Sequence, residues 1–265
     1  MSTACRQLDV LDDTAGGAAR RGDVAYVHSH EAASGLDGPG LRYVLWTTGC
    51  LMRCQYCHNP DTWRLGNGEL KTFDNVLADI KRYAPFLKAA GGGVTLSGGE
   101  PLAQAPFAVR LMQTCKHQLG LHTALDTNGY LGDRITDAQL HDVDLFLLDI
   151  KSHTPDLHKR VTGVDVEPIL AFANRLSDLG RPAWVRFVLV PGLTDDPANL
   201  AGLATFVAGL KNVERVEVLP FHQMGRHKWQ QLGVEYPLDQ TPACTQEQAH
   251  AVRSLFAGYG LPVQR

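Results

Sequence analysis

The chain has 265 residues, of which 44% are hydrophobic, and its 25 Lys and Arg residues nearly balance its 28 Asp and Glu residues. A chain of this length can bury a large core, and the near-neutral charge argues against nucleic acid as a partner. No apolar stretch is long enough to span a membrane, and the N-terminus lacks the apolar core of a secretion signal. We therefore expect a cytoplasmic protein.

Residues 1–22 differ in composition from the rest of the chain. They include DDTAGGAARRG, which is rich in alanine, glycine and charge and has no apolar periodicity. Such composition is typical of a flexible tail. After this segment there is no internal repeat, low-complexity tract or linker-like break, so we expect a single domain over residues 23–265.

Short β-rich runs then alternate with helical segments. The six predicted strands are RYVLWTT, GVTLS, HTALDT, VDLFLLDIK, AWVRFVLV and VERVEVLP. Apolar residues three or four positions apart predict helices in FDNVLADIKRYAPFLKAA, in PFAVRLMQTCKHQ and around residues 168–179 and 197–210. Capping boxes at Thr136 and Thr245 predict the starts of a short helix and of the last helix. This alternation predicts parallel βα units.

Each predicted strand ends in a polar or glycine-rich cluster. In order, these clusters are TTGCLMRC, SGGEP, DTNG, DIK, VPG and LPFH. In a β/α barrel the carboxyl ends of the strands open on one face, where active sites are built. Ordinary βα turns explain any one cluster, but they explain all six less well.

Three of the six cysteines, Cys50, Cys54 and Cys57, lie within GCLMRCQYCHNPDTW. Six cysteines are too few for a disulfide scaffold in this chain, so a metal explains the group better. Structural zinc needs four ligands, and His58 is awkwardly placed as the fourth because it directly follows Cys57. A [4Fe-4S] cluster held by three cysteines keeps one iron for an exogenous ligand. Ligand softness favours the cluster, with zinc and a purely structural role as alternatives.

Several motifs in fixed order resemble those of one protein family. GCLMRCQYCHNPDTW, GGGVTLSGGEP, HTALDTNG and PFHQMGRHKW together resemble the pyruvate formate-lyase activating enzymes, which are glycyl-radical enzyme activases of the radical S-adenosylmethionine superfamily. The resemblance extends from about Val24 to the C-terminus. It implies an α/β fold, a partial (β/α)6 TIM-like barrel of parallel strands of the radical S-adenosylmethionine type.

The resemblance also implies the chemistry. A [4Fe-4S] cluster would reductively cleave S-adenosylmethionine, and the resulting radical would abstract a hydrogen from a specific glycine of pyruvate formate-lyase. Cys50, Cys54 and Cys57 would hold the cluster, and Lys151 and Arg186 would act with them as catalytic residues. The residues implied to bind the cofactor are Tyr56, Cys57, His58, Gly98, Gly99, Asp126, Asp149, Ile150, Lys151 and His222. A monovalent cation would be held by Asp126, Thr127 and Asp149.

Taken singly, most of these residues have an ordinary structural explanation. Gly98 and Gly99 can form a glycine turn, and Asp126 before Thr-Asn-Gly can act in turn chemistry. Lys151 and Arg186 can be solvated charges, and a single histidine such as His222 is more often packed or exposed than a ligand contact. The order of the motifs, rather than any one residue, favours the functional interpretation.

The stretch SGLDGPGLRYVLW resembles the family loop that faces the target polypeptide, which implies that Asp37, Gly38 and Gly40 bind the partner. A tight turn before the first strand explains the same residues. Only RLGNGELKTFDN, which has no cysteine, separates the cysteine motif from the next helix. The resemblance therefore implies an external electron donor, flavodoxin or ferredoxin, and activity under anaerobic conditions. We expect a monomer.

Other functions are compatible with the residues alone. The cysteines could hold a fully coordinated ion in an electron-transfer or structural metal protein. Alternatively, Glu100, Asp126 and Asp149 could serve a carboxylate-metal hydrolase at a barrel mouth. A closer alternative is a radical enzyme that acts on another glycyl-radical enzyme or peptide.

Overall fold

A computed structural model describes residues 13–264 of the chain. The strands are, in chain order, β1 (Val24–Ser34), β2 (Arg42–Thr47), β3 (Glu69–Thr72), β4 (Gly93–Gly98), β5 (His122–Thr127), β6 (Leu145–Asp149), β7 (Ala183–Leu189) and β8 (Val213–Pro220). The α-helices are α1 (Asp13–Arg21), α2 (Phe73–Ala89), α3 (Ala105–His117), α4 (Asp137–Leu140), α5 (Pro155–Thr162), α6 (Glu167–Asp178), α7 (Pro197–Ala208), α8 (Arg226–Gln231) and α9 (Gln246–Gly258).

The chain divides into two compact units. The first contains the described residues up to 51 together with residues 62–127 and 131–146. Its strands follow the order β3, β1, β2, β4, β5, and the first two residues of β6 also belong to it. The pairs β2–β4 and β4–β5 are parallel, whereas β1 is antiparallel to both β2 and β3.

Helices α2 and α3 cover the sheet of the first unit with apolar faces. The predicted stripe of α2 is buried, with Val76, Ile80, Ala84 and Leu87 all in the core. Thr72 begins this helix by accepting a hydrogen bond from the backbone of Asn75. On α3 the predicted stripe is also confirmed, since Phe107, Leu111 and Cys115 are buried. Cys115 therefore packs as a small hydrophobic residue.

The second unit contains residues 52–61 and 128–130 and the described chain from residue 147 onward. It includes the end of β6 and the parallel pair β7–β8. Helix α9 packs against β8, and the Phe187 ring on β7 lies 6.1 Å from the Phe256 ring on α9. The backbone nitrogen of Ile150, just after β6, donates a 3.1 Å hydrogen bond to the Arg186 carbonyl on β7.

The six predicted strands are all present, and both predicted capping boxes are confirmed, at Thr136 for α4 and at Thr245 for α9. Strands β1 and β3 and helices α1, α5 and α8 are additional to the prediction. Strand β3 has four residues that are mostly exposed, so it carries no apolar alternation that would mark it in the sequence. Among residues 13–264, no helix is long and apolar enough to cross a membrane.

The N-terminal segment was predicted as a flexible tail over residues 1–22. Residues 1–12 lie outside the described part of the chain, while Asp13–Arg21 form α1, which packs against α3 and β1. Arg110 of α3 ties the chain after this helix, since its Nη1 lies 2.8 Å from Asp23 Oδ1. The flexible tail and the single domain over residues 23–265 stay predictions.

Candidate functional site

In the first unit, Cys50 follows the carboxyl end of β2 in a loop whose backbone is held from two directions. The nitrogens of Gly49 and Cys50 donate to the carbonyls of Thr62 and Trp63 at 2.8 and 3.0 Å. On the other side, Glu100 N donates to the Gly49 carbonyl at 2.8 Å. The position of the Cys50 backbone is therefore set by segments both after the cysteine motif and after β4.

The turn after β4 approaches this loop closely because it contains two glycines. Gly98 has a φ of +126°, and a Cβ there would collide with the backbone of Thr47. A Cβ on Gly99 would lie 2.7 Å from the Gly49 carbonyl oxygen and 2.9 Å from that of Thr62. Both glycines are thus required by close backbone packing inside the protein, independently of any ligand.

Two polar pairs lie at the carboxyl ends of strands β4 and β5. The Ser97 hydroxyl donates a 2.7 Å hydrogen bond to Asp126 Oδ2, and the Thr127 hydroxyl donates a 2.8 Å bond to Glu100 Oε1. Glu100 is only 1% exposed, and its Oε1 also accepts from the backbone of Leu102. Asp126 and Thr127 therefore sit in defined positions. Ser97 had no predicted role, although it is part of the SGGE sequence.

In the second unit, helix α5 anchors the loop that carries Cys54 and Cys57. The nitrogens of Arg53 and Gln55 donate to the carbonyls of Thr162 and Val161 at 2.7 and 3.0 Å. These acceptors belong to the last turn of α5, where helix carbonyls lack partners within the helix. The loop backbone thus completes the hydrogen bonding of the helix end. This contact was not predicted, because α5 itself was missed.

Trp229 holds the other end of this loop. Its indole Nε1 donates a 2.8 Å hydrogen bond to the Cys57 carbonyl, and its ring is buried beside Tyr236. Cys57 N in turn donates to the Cys54 carbonyl at 3.0 Å. Trp229 thus packs in the interior, and it also fixes the backbone of a candidate metal ligand.

A buried polar group surrounds Lys151 in the second unit. Lys151 Nζ donates a 2.6 Å hydrogen bond to Asp149 Oδ2 and lies 5.9 Å from the centre of the Tyr56 ring. Burial alone would lower the pKa of Lys151, but the Asp149 carboxylate and the neighbouring Tyr56 and Cys54 raise it above its ordinary value. Lys151 therefore remains charged, and Asp149 balances that charge.

A metal that binds a cysteine of this loop must displace the proton of its thiol. Burial, partly offset by the charge of Lys151, raises the pKa of Cys54 to about 12. A metal that binds this sulfur must therefore replace its proton. Tyr56, between the two cysteines, is buried, and its Oη has no hydrogen-bond partner in the described part of the chain. Such an orphaned hydroxyl is expected where a polar group of a ligand completes the site.

His58 and His222 lie against each other. Their ring centroids are 4.3 Å apart, and His58 Nε2 donates to the His222 carbonyl at 3.2 Å. Burial, together with the nearby His222, lowers the pKa of His58, so its ring is favoured in the neutral form. Gly225 permits this approach, since a Cβ there would lie 2.6 Å from the His58 Cα. The two predicted cofactor contacts are thus neighbours.

The segment with Asp37, Gly38 and Gly40 lies at the amino end of β2. The Thr95 hydroxyl donates a 2.6 Å bond to the Asp37 carbonyl, and Asp37 Oδ2 accepts from Ser34. Cys50 follows the opposite end of the same strand, which at five residue steps is about 16 Å away along its length. A turn packed at the start of the strand, as the residues alone suggest, accounts for these contacts.

Within residues 13–264, no three His, Cys, Asp or Glu side chains are placed so that they could hold one metal ion together. None of Cys50, Cys54 and Cys57 is joined in a disulfide within the described part of the chain.

Comparison with known proteins agrees with this chemistry. Residues 44–204 match the family model of the Radical SAM superfamily. The chain is 46% identical over 233 residues to the pyruvate formate-lyase-activating enzyme of Staphylococcus aureus (strain USA300), which covers 85% of this chain and 92% of that protein. The corresponding protein of strain N315 matches to the same extent.

Solved structures match the fold. A domain of a pyruvate-formate lyase-activating enzyme from Bacteroides vulgatus ATCC 8482 aligns with a TM-score of 0.55 and 27% identity, over 65% of this chain and 98% of that one. A radical SAM methyltransferase from Sphaerobacter thermophilus aligns with a TM-score of 0.63 over 96% of this chain and 81% of that one, at 16% identity. The second match concerns the fold alone. Together with the mostly parallel sheet, these matches confirm the predicted α/β partial-barrel class.

Proposed function

Because the chain belongs to the radical S-adenosylmethionine superfamily and, within it, to the pyruvate formate-lyase-activating enzymes, we propose that it installs a glycyl radical on pyruvate formate-lyase. The observation that carries the proposal is the long match to the staphylococcal enzyme, which includes the complete cysteine motif. A radical enzyme that acts on another glycyl-radical enzyme or peptide is the alternative, and it differs only in the polypeptide that donates the hydrogen atom.

The proposed cofactors are a [4Fe-4S] cluster on Cys50, Cys54 and Cys57 and S-adenosylmethionine at the fourth iron. When bound, they supply one-electron cleavage of the sulfonium C–S bond, which yields methionine and a 5′-deoxyadenosyl radical that takes a hydrogen atom from the target glycine. The hydrogen-bonded loop backbone on both sides of the cysteines supports this assignment, because cluster ligands need fixed positions.

The protein residues bind and orient S-adenosylmethionine in this proposal. The charged pair of Lys151 and Asp149 is buried, so it offers a fixed ammonium group to an anionic or hydroxyl group of the cofactor. His58 and His222, whose ring centroids are 4.3 Å apart, offer an apolar and hydrogen-bonding surface to the adenosine. The Tyr56 hydroxyl requires a partner that a bound cofactor can provide.

The remaining cofactor assignments rest on fixed backbone and carboxylate groups. Gly98 and Gly99 bring their backbone next to the Cys50 loop, and Ile150 is held to Arg186 through the main chain. The monovalent cation at Asp126, Thr127 and Asp149 is part of the proposal. It is supported by the hydrogen bonds that hold each of these side chains.

The proposed partners are pyruvate formate-lyase as the substrate protein and a flavodoxin or ferredoxin as the electron donor. The absence of further cysteines between Cys57 and the predicted helix at Phe73 supports an external donor, because no second cluster can be built there. The segment Asp37–Gly40 is proposed to contact the substrate protein. A monomeric state and a cytoplasmic location complete the proposal.

The decisive experiment is anaerobic reconstitution with iron and sulfide, followed by electron paramagnetic resonance with S-adenosylmethionine, reductant and pyruvate formate-lyase. We expect a glycyl doublet with the native chain and with Cys244→Ala, whose thiol lies outside the loop. Cys54→Ala should give neither cluster nor doublet. Formation of 5′-deoxyadenosine without the doublet would reject pyruvate formate-lyase as the substrate while keeping the radical chemistry.

A further inference from the structure

One face of the β7–β8 pair carries charged residues in cross-strand register. Trp184 pairs with Arg215, and Arg186 pairs with Glu217. Since side chains alternate along a strand, these four residues share a face. Phe187, the residue after Arg186, points to the other face, where its ring contacts α9. The charged face is therefore the one turned away from that helix.

Glu217 lies between the two guanidinium groups of this face. Its Oε1 is 3.5 Å from Arg215 Nη1, and its Oε2 is 3.7 Å from Arg186 Nε. The Glu217 side chain is only 13% exposed and that of Arg186 only 19%. A carboxylate so little hydrated needs cationic partners, and each of its oxygens faces a different one. Two guanidinium groups and one carboxylate leave one net positive charge on this face.

Arg215 is held on its other side by an aromatic ring. Its guanidinium carbon lies 3.5 Å from the centre of the Trp184 ring, which is a cation–π contact. Arg215 is therefore fixed between Trp184 and Glu217. As a result, the Glu217 carboxylate has a defined position from which it can act on Arg186.

The backbone of Arg186 is already fixed, because its carbonyl accepts the hydrogen bond from Ile150 N. Glu217 faces the Nε atom, and in a planar guanidinium the position of Nε determines where the two terminal nitrogens lie. The ion pair with Nε, at 3.7 Å, thus favours one direction for the terminal nitrogens.

We infer that Glu217 is a positioning residue that orients Arg186 toward S-adenosylmethionine. The inference rests on the proposed function, which assigns Arg186 to the cofactor. The cofactor carries a carboxylate and ribose hydroxyls, all of which accept hydrogen bonds from a guanidinium. The surplus positive charge on this face suits such acceptors, and Arg215 contributes by holding Glu217.

Binding of S-adenosylmethionine to the anaerobically reconstituted full chain tests the inference. Glu217→Gln keeps the shape of the side chain and removes its charge. We expect its Kd for S-adenosylmethionine to rise about tenfold. Glu214→Gln, at an exposed position near the start of the same strand, is the matched control and should leave the Kd unchanged. Iron content and the thermal unfolding midpoint, measured on both variants, identify any general loss of structure.

A double-mutant cycle separates positioning from an independent effect. If Glu217 acts through Arg186, Arg186→Lys and Arg186→Lys/Glu217→Gln should bind S-adenosylmethionine within about twofold of each other. Additive losses would overturn the inference. If Arg186→Lys binds S-adenosylmethionine weakly but Glu217→Gln binds it as the native chain does, the inference is overturned and the proposed function stands. Unchanged binding by Arg186→Lys would instead reject the assignment of Arg186 to the cofactor, on which the inference rests.

Glu217→Asp keeps the test valid if the uncharged variant does not retain its iron. This shorter carboxylate preserves the charge but moves it away from Nε. We expect its Kd for S-adenosylmethionine to lie between those of the native chain and Glu217→Gln. If only the aspartate variant can be measured, its Kd should exceed the native value several-fold. A Kd equal to that of the native chain would show that the position of the carboxylate is irrelevant.

Discussion

The indole nitrogen of Trp229 is hydrogen-bonded to the backbone carbonyl of Cys57 across 172 positions of sequence. Trp229 lies on α8, so this bond ties the last cysteine of the motif to a helix in the C-terminal part of the chain. Cys57 is thus held by its own turn and by a distant side chain.

Trp229→Phe should loosen this end of the cysteine loop. The change removes the donor and should lower the free energy of unfolding by about 1 kcal/mol. We also expect faster loss of iron on exposure to air, which iron analysis after timed exposure measures. Tyr236→Phe is the control, since it keeps the ring against Trp229 and loses only a hydroxyl. Equal iron loss in both variants would assign the effect to packing.

Alanine at Gly98 or Gly99 should destabilise the first unit. A Cβ at either position would meet backbone atoms of residues 47–62, and Gly98 also has a positive φ. We expect a loss of at least about 1 kcal/mol for each in urea unfolding. Gly66→Ala is the control, because no atom lies within 4 Å of the added Cβ. Native stability in Gly99→Ala would contradict the close packing of this turn.

Removal of the Thr127 hydroxyl should affect Glu100. Thr127→Val keeps the shape of the side chain but takes one donor from a buried carboxylate, so unfolding free energy should fall by about 1–3 kcal/mol. Thr127→Ser retains the hydroxyl and should cost less. If the two variants are equally stable, the hydrogen bond to Glu100 contributes nothing. Chemical denaturation of the three proteins in parallel makes the comparison.

Stability should decrease as the pH falls below the ordinary histidine pKa of 6.5. Burial lowers the pKa of His158, the hydrogen bond to Val164 opposes this, and the charge of Lys151 adds to it. Its Nδ1 donates to the Val164 carbonyl at 3.0 Å, and Nε2 has no partner in the described part of the chain. The folded chain therefore favours the neutral form of His158.

The sign follows from proton binding. Below 6.5 the unfolded chain binds a proton at this residue while the folded chain does not, so protonation favours unfolding. The lowered pKa values of His58 and His122 act in the same direction. His158→Gln should therefore reduce, but not abolish, the slope of unfolding free energy against pH in this range. An unchanged slope would show that His158 titrates normally.

Asp37→Ala should weaken binding to pyruvate formate-lyase several-fold if its segment contacts the substrate protein. Ser34→Ala provides the control, because it removes the hydrogen bond to the Asp37 carboxylate without removing the carboxylate. Affinity measured by surface plasmon resonance under anaerobic conditions distinguishes the two. Equal weakening would indicate that Asp37 acts by ordering its own turn, and unchanged affinity in both would remove the segment from the interface.

Local sequence patterns predict a large part of the fold. The apolar stripe of α2, the capping boxes at Thr136 and Thr245, and the six strands were all predictable, because each depends on residues close together in sequence. Strand β1 was missed although Val24–Val27 form an apolar run, since its second half contains polar residues and the strand is antiparallel. Helix α5 was missed because it is short and mostly polar.

The sequence by itself determined the family, since the spacing of Cys50, Cys54 and Cys57 and the order of the motifs are linear properties. Only the tertiary structure decided what holds these residues. The contacts that hold them join distant segments, namely Trp229 with Cys57, the end of α5 with Arg53, and Glu217 with Arg186. Such contacts produce no periodic pattern in the sequence, because strand register and loop packing, rather than local propensity, bring the partners together.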